Sequence, residues 1–93
     1  KAVAGLPAAP AVYKILDKAT GETVYIGESK NLRKRLMSHE KKNWHCPAGF
    51  SYLVQPASIL PHQLKEMEND LIGKFYAANE AVPRFQFGQR TVI

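Results

Sequence analysis

Arg35, His39 and Glu68 are the side chains whose types and spacing could do chemistry. An arginine at the margin of an apolar helix stripe suits bidentate recognition of a phosphate. His39 lies four residues on, so the two share one helix edge and can act together. Glu68 stands in a later segment rich in leucine. At about 100° per residue, Leu60, Leu64, Met67, Leu71 and Phe75 form one apolar arc. Glu68 falls inside that arc, whereas Glu66 and Asp70 face away. A carboxylate so placed costs free energy unless it is paired or bound to a cation. Two readings stay open at this point. Glu68 is a margin residue that reaches solvent or pairs with an arginine of the first helix, or it is a metal-binding or acid–base carboxylate facing a cleft.

The elements that must position these groups can be read from hydrophobic pattern and punctuation. Residues 12–16 and 22–26 are β-branched and aromatic runs, joined by a loop over 17–21 in which Gly21 can adopt positive φ. They predict an antiparallel hairpin, with Gly27 ending its second strand. Asn31 or Ser29 is a fitting N-cap for a helix reaching about residue 41. Residues 51–55 predict a third short strand. A second helix starts near residue 59 or 61, since Pro61 is tolerated only in a first turn, and runs to about residue 76. The tail over 83–88 reads as irregular or a short edge strand. The order β-β-α-β-α implies a small α/β (α+β) domain: a three-stranded, mostly antiparallel sheet flanked by helices.

Composition narrows the classes. Ninety-three residues allow one domain, 1–93, and 45% hydrophobic against 23% charged residues suffices for a core, which excludes wholesale disorder. No apolar run nears the roughly 20 residues that span a bilayer, so no membrane role is expected. The lone Cys46 cannot form an internal disulfide, which fits a reducing, cytoplasmic setting. His45, Cys46 and His62 are one ligand short of a structural zinc site and irregularly spaced. The chain has no initiating Met, which suggests a trimmed product or a piece of something longer. Of the net charge of +5, four units fall between Glu28 and Lys42, where Lys30, Arg33, Lys34, Arg35, Lys41 and Lys42 outnumber Glu28 and Glu40. Such a basic face suits the backbone of a nucleic acid, with Lys30, Arg33, Lys34, Lys41 and Lys42 as sequence-neutral contacts.

Taken in order, Ala11-Val12-Tyr13, Tyr25-Ile26-Gly27, Arg35, His39 and Glu68-Asn69-Asp70-Leu71-Ile72 resemble the GIY-YIG nuclease domain over roughly residues 11–86. The resemblance implies that Tyr13 and Tyr25 lie side by side at a catalytic surface, and that Gly27 is a tight exit into the first helix. It implies that Arg35 contacts the scissile phosphate, that His39 positions a catalytic tyrosine, and that Glu68 ligates one divalent cation, Mg²⁺ or Mn²⁺. Pro83-Arg84-Phe85-Gln86 looks like the family's Pro-Arg-aromatic-Asn ending, which would put Gln86 among the nucleic-acid contacts. There are departures: Ala-Val-Tyr stands for Gly-Ile-Tyr, Glu28 stands where the repair branch carries Lys, and Gln86 stands for Asn.

The function these implications favour is a divalent-cation-dependent endonuclease, with DNA favoured as substrate, in a repair, recombination or mobile-element setting. Tyr13 is favoured as general base, with His39 taking its proton and Tyr25 positioning water. The alternative is a catalytically inactive nucleic-acid-binding module of the same fold. Targeting would come from a further domain or a protein partner.

Overall fold

The computed structural model describes residues 5–86. The observed order is β1 (Ala11–Asp17), β2 (Thr23–Ser29), α1 (Leu32–Glu40), β3 (Ala48–Val54) and α2 (Pro61–Asn79). The three strands form one antiparallel sheet in the order β2-β1-β3. The central strand, β1, is the most buried, as a strand paired on both sides should be. No helix among the described residues is long and apolar enough to cross a membrane.

Local chemistry fixes the connections. The β1–β2 turn closes when the amides of Gly21 (2.7 Å) and Thr20 (3.2 Å) donate to the Asp17 carbonyl. Gly21 takes the φ of +80° that favours glycine. Asn31 caps α1 as the sequence predicts, its Oδ1 accepting the Lys34 amide at 3.0 Å. Two boundaries differ from expectation. β3 starts three residues early, directly after Pro47, because a glycine at position 49 passes close beside the Lys18 side chain and pairing with β1 overrides its low strand propensity. α2 continues to Asn79 and stops where Glu80 turns left-handed (φ +59°).

Cross-strand register sorts the side chains. Tyr13 stands opposite Gly27 and Tyr52, and Ile15 opposite Tyr25 and Phe50. Against them pack Leu32 and Leu36 of α1, with Leu6, Ala11, Val24 and Trp44 completing the core. α2 lies against β2 and β1, and Leu64 is its single fully buried side chain. Leu60, expected within the apolar arc, precedes the helix as its N-cap and is half exposed.

β2 is an edge strand, and its outward backbone groups need partners. The tail supplies them. The Phe85 amide donates to the Val24 carbonyl at 2.9 Å. The Gln86 side chain accepts the Ile26 amide at 2.8 Å and donates to the Ile26 carbonyl at 2.6 Å. This overturns the expectation that Gln86 contacts nucleic acid: it is buried and both ends of its amide are taken up by β2. Replacing it with leucine leaves two backbone groups of Ile26 unpaired, each worth about 1–3 kcal/mol when buried. Gln86→Leu should therefore lower the melting temperature by roughly 10–20 °C, followed by circular dichroism.

Candidate active site

The sheet brings Tyr13 and Tyr25 together, with ring centroids 6.2 Å apart. The expectation for Gly27 needs correction. It is not the exit from β2, which continues to Ser29; it is the gap across which the Tyr13 ring lies. A Cβ at position 27 would meet Tyr13 Oη at 2.5 Å, its Cζ at 2.6 Å and Tyr25 Cε2 at 2.9 Å. Extended pairing persists there because a glycine facing a large cross-strand neighbour leaves room that the neighbour fills.

Tyr13 is almost completely buried, 1% exposed, rather than spread on an open surface. Tyr13 Oη lies 2.8 Å from His39 Nε2, and the nearby Arg35 guanidinium favours the ionised phenol. A phenol that donates to Nε2 goes with an imidazole proton on Nδ1. Burial raises the Tyr13 pKa, the charge of Tyr25 adds to the effect, and Arg35 opposes it. His39 moves the other way, pushed down to about 4, mainly by burial, with the charges of Arg35 and Lys42 adding. At neutral pH the pair is thus a protonated phenol beside a neutral imidazole.

The imidazole is held by its neighbours. The Trp44 indole N–H donates to the His39 carbonyl at 3.1 Å, and the His39 ring packs against Tyr25 and Trp44 at 5.2 and 5.4 Å. The depressed pKa has a consequence for stability. Between pH 6.5 and about 4 the unfolded chain binds a proton that folded His39 refuses, so this contribution is complete above pH 6.5 and is lost as pH falls toward 4. The ring is only partly covered, so the effect is about 1–2 kcal/mol once solvent screening is allowed for. Urea unfolding at pH 7.5 and 4.5 should show His39→Gln losing that much less stability on acidification than the wild type.

Glu68 is reached from Arg35 through backbone and ion pairs. Arg35 Nη1 donates to the Glu28 carbonyl at 3.2 Å. The Glu28 carboxylate lies 3.5 Å from Lys65 Nζ, and Lys65 Nζ lies 3.1 Å from Glu68. The Glu68 side chain is only 13% exposed, and its charge reaches Tyr13 and adds to the upward shift of the phenol. The margin reading of Glu68 named an arginine of α1 as partner; the actual partner is Lys65 of its own helix. Lys65 is a residue that sequence reasoning missed, although Lys65 and Glu68 stand at i, i+3 on one helix face, a visible signal. The Glu28–Lys65 contact joins β2 to α2 and had no local signature.

The basic residues divide. Lys30, Lys34 and Lys41 are exposed along and beside α1. Arg33 Nε donates to the Leu6 carbonyl at 2.7 Å, tying α1 to the N-terminal segment. Lys42 Nζ sits 4.6 Å from the centre of the Trp44 ring. Arg35 is also exposed, so a guanidinium that bonds Glu28 beside Tyr13 still opens to solvent. Among the described residues no three His, Cys, Asp or Glu side chains gather as a metal cluster.

Comparison with known proteins places the chain in a family. The profile of the GIY-YIG catalytic domain matches residues 9–79. Curated relatives include proteins called UvrABC system protein C. That of Methylococcus capsulatus is 54% identical over 45 residues, covering 48% of this chain and 7% of the relative. Those of Christiangramia forsetii and Chlamydia abortus are 34% and 33% identical, covering 72% and 76% of this chain and 11% and 13% of the relatives. The chain thus spans about a tenth of the length of the relatives it matches. From its sheet order to the tyrosine pair that Gly27 lets in, and with a profile match over most of its length, the chain belongs to the GIY-YIG catalytic domain family.

Proposed function

We propose that this chain is a divalent-cation-dependent endonuclease domain that hydrolyses a phosphodiester of nucleic acid, DNA in the first place, in a repair setting. The observation that carries this reading is the Tyr13 hydroxyl 2.8 Å from His39 Nε2, within electrostatic reach of the Arg35 guanidinium and the Glu68 carboxylate. The likeness to UvrABC system protein C supports the repair setting.

Each group then has a task. A phenol oxygen has two lone pairs, so Tyr13 can accept a proton from an attacking water while its own hydrogen faces His39. Tyr13 is a poor base alone, since burial disfavours phenolate. It can act as a relay: the water proton passes to Tyr13 Oη while the Tyr13 proton passes to His39 Nε2, and no free phenolate accumulates. His39 is suited to accept because it is neutral at working pH. Arg35 has five N–H donors, and those beyond the Glu28 contact can take the non-bridging oxygens, where charge grows in the transition state. Lys30, Lys34 and Lys41 attract the strand without reading its sequence.

Glu68 fits a metal ligand by its surroundings. It is a largely covered carboxylate paired with an exposed ammonium, and a single protein carboxylate is compatible with Mg²⁺, which keeps several waters. A bound Mg²⁺ or Mn²⁺ would supply Lewis acidity at the leaving oxygen.

The test is nicking of supercoiled plasmid and cutting of branched DNA in Mg²⁺ or Mn²⁺, beside the same reactions in EDTA. Cleavage that needs the cation is expected. Salt-sensitive binding with no cleavage in any cation would leave an inactive binding module instead.

A further inference from the structure

Lys65 has no part in the relay, yet its ammonium sits between two carboxylates that belong to different elements. Glu28 leaves β2 and Glu68 leaves α2, and their oxygens approach Lys65 Nζ to 3.5 and 3.1 Å. The two acids are largely covered, with side chains 21% and 13% exposed, while the lysine is 59% exposed. A solvent-facing ammonium on a flexible stem thus pairs with two largely covered carboxylates from different elements.

We propose that Lys65 holds the place of the divalent cation, so that Glu28 is a second carboxylate of that site and Lys65 a competitor the ion must displace. The inference rests on the reading of Glu68 as the metal ligand. Two acidic side chains that share one cation repel each other once that positive charge is gone. A lysine can leave by rotating its stem into water, where an ammonium is well hydrated. A divalent ion arriving at the same two oxygens brings twice the charge and keeps its remaining ligands as water. Glu28 is held for this role: its carbonyl is bonded by Arg35, which ties the backbone of the second acid to the phosphate-binding guanidinium.

The experiment is Mn²⁺ titration by calorimetry and by the free-ion electron paramagnetic signal, without nucleic acid, on the wild type, Lys65→Met, Glu28→Gln, Glu68→Gln and the Lys65→Met/Glu28→Gln pair. Melting curves check that each variant folds. Removing one positive charge a few ångströms from a divalent ion should tighten Mn²⁺ binding about tenfold in Lys65→Met. Glu28→Gln in that background should reverse the gain. Unchanged or weaker affinity in Lys65→Met, with binding still lost in Glu68→Gln, overturns the placeholder while the metal reading stands. Tightening in Lys65→Met that Glu28→Gln leaves intact overturns the role of Glu28. Equal affinity in Glu68→Gln and the wild type, or no Mn²⁺ binding by any variant, overturns both this inference and the reading beneath it.

Discussion

Replacing Glu68 with glutamine should slow cation-dependent strand cleavage about 10³-fold, the equivalent of roughly 4 kcal/mol at the transition state. Glutamine keeps the shape and one acceptor oxygen but removes the charge that would hold a divalent ion. Stability should barely change. The ion pair that is lost joins Glu68 to a largely exposed lysine, and such pairs contribute about 0–1 kcal/mol. The substitution also removes the cost of covering a charged carboxylate. Binding of DNA should be retained or slightly tightened, because one negative charge leaves a surface that receives phosphates. Single-turnover kinetics at saturating DNA, set beside a binding isotherm and a melting curve, separates these effects. A variant that folds, binds and still cuts within tenfold of the wild type would remove Glu68 from the reaction. Loss of cleavage with equal loss of folding would instead mark it as structural.

The pattern of residues reached far into this fold, and it stopped where contacts cease to be local. The hairpin was legible because alternation, the loop with Gly21 and the β-branched runs all pointed the same way. The N-cap at Asn31 was legible for the same reason. Glu68 stood out because helical periodicity alone puts it among apolar neighbours. Gly27 misled: a glycine after a strand reads as a terminator, and only the register, which sets it opposite Tyr13, gives it another purpose. Gln86 misled similarly. Nothing near it in the chain says that its amide meets Ile26, sixty residues away. Lys65 was passed over because lysine on a helix is ordinarily a solvated charge, and its pairing with Glu28 exists only once α2 lies on β2. The burial of Tyr13 was likewise set by packing. A tyrosine in the middle strand loses its exposure to α1 and Trp44, and with it the easy ionisation that a surface phenol would keep.

Gly27→Ala should be the most damaging single methyl in the protein. The glycine does not have positive φ, so alanine meets no backbone strain there, and the whole effect is steric. The methyl would sit 2.5 Å from Tyr13 Oη and 2.6 Å from its Cζ, distances no pair of such atoms tolerates. A flexible side chain would swing aside, but this ring is fully enclosed and its oxygen is tethered to His39. Either the tether breaks or β2 moves away from β1. Overpacking of this kind costs about 1–3 kcal/mol, and a catalytic group displaced by about 1 Å can lose 10²-fold in rate. Both losses are expected together, read as a lower melting temperature and slower single-turnover cleavage with DNA binding largely kept. The control is Gly73→Ala on α2, where nothing lies within 4 Å of the added Cβ; relief of glycine in a helix should stabilise that variant by about 0.5–1 kcal/mol. Tyr13→Phe separates the two components of the first result. It should remove cleavage while keeping most of the stability, because the ring stays and only its oxygen goes. Adding Gly27→Ala to it should then cost less stability than in the wild type, since the shortest contact is gone while the one to Cζ remains. Full activity in Gly27→Ala would mean that the position of the Tyr13 hydroxyl does not matter to the reaction, and the relay through His39 would fall with it.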